Sequence, residues 1–226
     1  MPLNMEDPLI SYVYDTAKSL YSGVSHDFSH AVRVAEYCRM IAPSMKADVR
    51  VCTVAALLHD IGRKDGSDED HFETGDMVRE ILEGRASQEF VDRVARCIAC
   101  HSSSSIIDPE LPEERTLFDA DKLDGYGYTG IARFFAFSGE NGNNIRDSLE
   151  DAIKRMEKLE KKGAFMTPMG KRKGSIRAFR AFSFYYSLAK ENGLEDECRR
   201  IRKILFLSQG KLKGTAAMLL IRLLYW

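Results

Sequence analysis

Residues 48–62 read DVRVCTVAALLHDIG, and they decide the fold. Asp48 is a helix N-cap type, the run after it suits a helix through Asp60, and Gly62 supplies the stop. The His59-Asp60 pair at the end of that helix sets two metal-ligand chemistries side by side, a neutral imidazole and a carboxylate. Outward from here the apolar spacing stays helical almost throughout. Helices are expected at residues 9–20, at 29–41 with Pro43 ending the second, at 71–82 with Gly84 as stop, and at 87–101 behind a Ser87 cap. A further helical region spans 113–123. Gly125, Gly127 and Gly130 then loosen the chain before the aromatic run 131–137. The stretch SGENGNN at 138–144 is the clearest linker. Beyond it, helices are expected at 145–162, 176–191, 195–207 and in the C-terminal tail. The expected fold class is therefore all-α.

Length and composition narrow the class. The 226 residues suit one large domain, or a core with an extension, and 44% hydrophobic with 30% charged residues excludes a disordered chain. The net charge of −1 is a cancellation. Residues 1–150 hold 15 Lys+Arg against 27 Asp+Glu, a net of −12, whereas 151–226 hold 18 against 7, a net of +11. We therefore expect an acidic core over 1–140 and a basic helical extension over 141–226, packed as one structural unit. All five histidines, His26, His30, His59, His71 and His101, fall in the acidic part. The longest apolar stretch, 216–226, is too short to span a bilayer, and the N-terminus lacks a basic-then-apolar leader. The five cysteines form no framework spacing and read as reduced thiols of a cytoplasmic protein.

The chemistry-bearing residues lie in three separate helical contexts. His26 and His30 are four apart and share a face if helical. His59-Asp60 closes ALLHDIG. Asp119, Asp121 and Asp124 occur in FDADKLD. Histidine and carboxylate together suit a borderline or hard divalent cation. Each alone is compatible with a satisfied core or capping residue; the ordered set carries the weight. The CIACH stretch at 97–101 matches the pattern of covalent haem attachment. It sits in an apolar-periodic helix with no export signal, and no second Cys or His pair completes a zinc site.

HDFSHAVRV (26–34), AALLHDIGR (55–63) and DADKLD (119–124) resemble the motifs of the HD superfamily of metal-dependent phosphohydrolases, particularly its small single-domain bacterial and archaeal members. The resemblance covers about residues 10–190. It implies an HD-domain helical bundle with a central metal site and additional C-terminal helices. By motif match the ligands would be His30, His59, Asp60 and Asp121, with Asp119 the rival for the last place. Asp119 and Asp124 otherwise support the ligands or the structure. Such nitrogen and oxygen ligands are compatible with Mn, Fe, Co, Ni, Zn or Mg, one or two ions per chain.

The activity so implied is hydrolysis of a small phosphorylated molecule, expected to be a nucleotide, at a phosphomonoester or pyrophosphate bond by metal-activated water. Asp60 doubles as the group that holds and deprotonates the water. His71 and His101 either contact phosphate or water, or complete a second metal site, as in HD-type di-iron oxygenases. A non-catalytic nucleotide- or metal-binding module is a third possibility. His26, Arg33, Arg63, Lys122 and Arg133 are the expected substrate-binding residues, the cations because developing phosphoryl charge needs positive partners. The basic stretch KRKGSIRAFR (171–180) is either a solvated helix start or a phosphate-facing wall. No nucleic-acid fold signature accompanies it, so neither a nucleic-acid nor a membrane partner is expected. The tail AAMLLIRLLYW is either a docked final helix or a homodimer contact.

Overall fold

The computed structural model describes residues 3–21, 27–61, 71–102, 105, 107–163 and 165–209; for 71–73, 159–162 and 205–209 it describes the backbone alone. Among the described residues there are ten helices and no strand. They are α1 Pro8–Leu20, α2 Phe28–Met45, α3 Val49–Leu58, α4 His71–Leu82, α5 Gln88–Cys100, α6 Pro112–Gly125, α7 Tyr128–Glu140, α8 Ile145–Lys162, α9 Pro168–Glu191 and α10 Glu195–Gln209.

α3 is the buried centre. Every residue from Val51 to Leu58 is buried, so this helix has no solvent face. Helices α1, α2, α5 and α6 pack around it, and α2 also lies against α6. Asp48 caps α3 as expected, accepting from the Arg50 and Val51 amides. The helix itself stops at Leu58, and residues 59–61 form a turn. The expected stop, Gly62, lies outside the described residues.

Three boundaries differ from the sequence reading. Pro43 does not end α2, which runs on to Met45 before Lys46 turns left-handed at φ 55°. The ring removes one donor only near the end of the helix, and the Lys46 amide closes the last turn onto Ala42 and Pro43 oxygens. Gly130 does not loosen the chain; it lies inside α7, where a side chain would collide with the Asp124 and Gly125 carbonyls of α6. The 138–144 linker contracts to 141–144, because α7 continues to Glu140. Gly142 at φ 79° makes the turn, and the Asn144 side chain accepts the Asp147 amide.

The basic stretch belongs to α9, which starts at Pro168 behind a Thr167 cap, eight residues before the expected start. Gly170, Gly174, Ala178 and Ala181 form its buried edge. Gly170 abuts the Asp119 carboxylate and Gly174 abuts Phe165, so neither position has room for a side chain. Lys171, Arg172 and Arg180 face solvent. Arg177 turns inward, donating to the Leu123 carbonyl at 2.5 Å and the Tyr37 hydroxyl at 2.7 Å. These bonds tie α9 to α6 and α2. The tail 210–226, on which the docking and dimer expectations fall, lies outside the described residues. No helix among the described residues is long and apolar enough to cross a membrane.

Candidate metal centre

The site forms where the start of α2, the turn after α3, the end of α5 and the middle of α6 meet. His30 comes from the first turn of α2, fixed by Asp27, whose side chain accepts the His30 amide. His59 and Asp60 follow α3, His101 is the C-cap of α5, and Asp121 projects from α6. His30, His59, Asp60 and His101 are buried.

The imidazoles are oriented by their Nδ1 atoms. His59 Nδ1 lies 2.8 Å from the Ala56 carbonyl, and His101 Nδ1 lies 2.6 Å from the Ile98 carbonyl. A carbonyl only accepts, so each Nδ1 carries the proton and each Nε2 keeps a lone pair. His30 Nδ1 lies 2.8 Å from Asp124 Oδ2, again an acceptor. Arg133 Nη1 is also 2.7 Å from that nitrogen, but it cannot accept, so both groups donate to the same Asp124 oxygen.

The Nε2 atoms all point inward. His30 Nε2 and His59 Nε2 are 3.3 Å apart; Asp121 Oδ1 is 3.4 Å from His30 Nε2, and Asp60 Oδ2 is 3.2 Å from His59 Nε2. His101 Nε2 is 3.7 Å from the other Asp60 oxygen. Two unprotonated nitrogens facing each other at 3.3 Å beside two carboxylates make an arrangement that a cation or a proton relieves. His30, His59 and Asp121 form one group with metal-ligand spacing, and His59, Asp60 and His101 form another. The donor set thus fits a divalent cation.

The electrostatics agree with that geometry. Burial alone would lower the His59 pKa, but the Asp60 and Asp121 carboxylates outweigh it and hold the ring above its ordinary value. Burial wins at His101, which is pushed down despite Asp60. Burial would raise Asp60, yet His59 and His101 hold it well below the carboxylate range. Asp121 is similarly low, because Lys122, His30 and His59 outweigh its burial.

The expected supporting residues have specific partners. Asp124 accepts from His30, from Arg33 Nε at 2.7 Å and from Arg133 at 2.8 Å. Arg33 and Arg133, read as substrate-binding, are thus held by this carboxylate at the edge of the cluster. Lys122, also read as substrate-binding, is buried: its ammonium donates to the His101 carbonyl at 2.7 Å and to Asp121 Oδ2 at 3.1 Å, above the Phe118 ring. Asp119 faces away from the cluster. Its carboxylate accepts the Met166 amide at 2.9 Å and the Thr167 amide at 2.7 Å, anchoring the start of α9. His26 and Arg63 lie outside the described residues, and for His71 only the backbone at the start of α4 is described.

Tyr21 escaped the sequence reading. It is the C-cap of α1, and its hydroxyl accepts the Asp60 amide at 3.3 Å. Burial and the Asp60 charge hold its pKa well above the ordinary value, so it stays neutral. An aromatic residue at a helix end carries no metal or phosphate signature, so no sequence signal marks it.

Residues 27–126 match the HD domain family. The uncharacterized protein YpgQ of Bacillus subtilis is 31% identical over 124 residues, which span 53% of this chain and 60% of YpgQ. A crystal structure of Bacillus subtilis YpgQ in complex with ADP has the same fold, at TM-score 0.65 and 22% identity, covering 80% of this chain and 97% of that one. A structure from Lactobacillus plantarum aligns at TM-score 0.68 and 20% identity, over 82% and 97% of the two chains. An HD-superfamily hydrolase from Bacillus thuringiensis aligns at TM-score 0.60 and 24% identity, over 83% and 98%. The match to the HD domain family thus falls on residues 27–126, the stretch that carries His30, His59, Asp60, His101 and Asp121.

Proposed function

We propose that the protein is a metal-dependent phosphohydrolase acting on a small phosphorylated molecule, a nucleotide, at a phosphomonoester or pyrophosphate bond. The observation that carries this reading is the convergence of inward-facing imidazole nitrogens with the buried Asp60 and half-buried Asp121 carboxylates in one cluster. The ADP complex of a protein of the same fold supports a nucleotide ligand.

His30, His59, Asp60 and Asp121 would hold the cation, and this nitrogen and oxygen set suits Mn, Fe, Co, Ni, Zn or Mg. A divalent cation there supplies Lewis acidity, polarising a phosphoryl oxygen and lowering the pKa of water from about 16 toward about 7. Asp60 is the residue we assign to orient the attacking water and take its proton, since it lies in contact with both His59 and His101. Arg33 and Arg133 bring two positive charges to the edge of the cluster, where they offset charge developing on the phosphoryl oxygens. Lys122 acts one step back, holding Asp121 and the His101 carbonyl in place. His101 serves the water or phosphate side of Asp60, or joins His71 in a second cation site.

The test is turnover by Mn-loaded protein against nucleoside di- and triphosphates and phosphomonoesters, with metal content measured alongside. Release of phosphate or pyrophosphate is expected, and His59→Ala should lose both metal and turnover. No turnover across the panel, with normal metal content in His59→Ala, sinks the reading. Two irons per chain with oxygen uptake would replace it with a di-iron oxygenase, and a tight but unhydrolysed nucleotide with a binding module.

A further inference from the structure

Tyr21 is built into the cluster rather than merely near it. Its backbone is extended at φ −79° and ψ 126°, and its amide returns to the Ala17 carbonyl. Its ring packs on Phe28 at 5.9 Å, and Phe28 packs edge-on against Tyr14 at 4.8 Å. This aromatic trio fixes the direction of the phenol. The oxygen accepts the Asp60 amide, which uses one lone pair and leaves the O–H proton to donate. Among the described residues no hydrogen bond engages that proton.

The charged groups around the hydroxyl are Asp60, Asp121 and Arg133. It therefore sits where the carboxylates of the proposed cation site meet the guanidinium at its edge. Arg33 and Arg133 are engaged with Asp124, and Lys122 with Asp121 and the His101 carbonyl. A neutral donor at this junction suits an anionic oxygen, and it adds no positive charge that would repel a cation.

We propose that Tyr21 is a substrate-contacting residue whose O–H donates to a non-bridging phosphoryl oxygen. This rests on the phosphohydrolase reading and extends it to α1, a helix outside the matched HD region of 27–126.

Tyr21→Phe keeps the ring and its packing and removes only the hydroxyl. Three quantities are compared with wild type: affinity of the metal-free protein for Mn, affinity of the Mn-loaded protein for inorganic phosphate by calorimetry, and turnover of ADP. We expect Mn affinity within about twofold, and phosphate affinity and kcat/KM each lowered about tenfold or more, the size of a lost hydrogen bond to a charged group. Unchanged phosphate affinity in Tyr21→Phe, with a wild type that binds phosphate and turns over, overturns the Tyr21 assignment alone. A parallel loss of Mn affinity also overturns it, because the hydroxyl would then act only by positioning Asp60. A Mn-loaded wild type that neither binds phosphate nor hydrolyses any phosphoester overturns the phosphohydrolase reading, and this assignment with it.

Discussion

Replacing Asp124 with Asn tests whether the cluster is held from behind. Asp124 is 2% exposed and receives His30, Arg33 and Arg133. Burial works against its charge, but the His30 and Arg33 hydrogen bonds and charges win and bring its pKa from 3.8 to about 2. At 1.36 kcal/mol per unit, that gap of about 1.8 units corresponds to about 2 kcal/mol of stability. The folded pKa lies below the unfolded one. The contribution is thus complete above about pH 4 and is lost as pH falls toward about 2. At pH 7 the Asn variant forfeits the charge while keeping most of the shape. In a domain of this size, about 2 kcal/mol lowers Tm by roughly 4–8 °C. The second consequence falls on His30. Without an anionic acceptor for its Nδ1–H the ring is less firmly oriented, and loss of such a partner weakens metal binding about 10- to 100-fold. Thermal unfolding of metal-free protein at pH 7 and a Mn titration measure the two effects separately. A variant with wild-type Tm and wild-type Mn affinity refutes the claim that Asp124 organises the site.

Two further outcomes follow from the same contacts. Asp119→Ala leaves the half-buried Met166 amide and the buried Thr167 amide without an acceptor, so stability should fall by about 2–4 kcal/mol while one Mn still binds per folded chain; loss of Mn from folded protein would instead make Asp119 a ligand. His59 holds its proton above the ordinary histidine value in the metal-free cluster, and a cation must displace that proton. Mn affinity should therefore rise with pH as His59 loses that proton, and calorimetry in buffers of different ionisation enthalpy should find net proton release on binding; a pH-independent affinity with no proton release counts against His59 as a ligand.

Local chemistry made some features readable from the sequence. The cap at Asp48 and the stop at Gly84 are decided within a few residues, and both occur where expected. The helical class follows from apolar spacing, and the order of His30, His59-Asp60 and Asp121 follows from motif alone. Where the sequence reading erred, the deciding contact lay far along the chain. Gly130 reads as a breaker until the α6 carbonyls beneath it are seen, and Pro43 reads as a stop although the last turn of α2 closes around it. Asp119 and Asp121 are indistinguishable by type and two residues apart in one helix. Because α6 turns about 100° per residue, they point to opposite sides. One meets the start of α9 and the other meets His30. Lys122 reads as a substrate-binding cation and Arg177 as part of a solvated or phosphate-facing basic stretch, yet packing buries one against a carbonyl and turns the other onto Tyr37. The sequence by itself determined the side-chain chemistry of the cluster and the helices that carry it, because both depend on residue type and short spacing. Only the tertiary structure decided which carboxylate serves the cluster, which cations are spent on holding it, and that Tyr21 reaches it, because those depend on which helix faces meet.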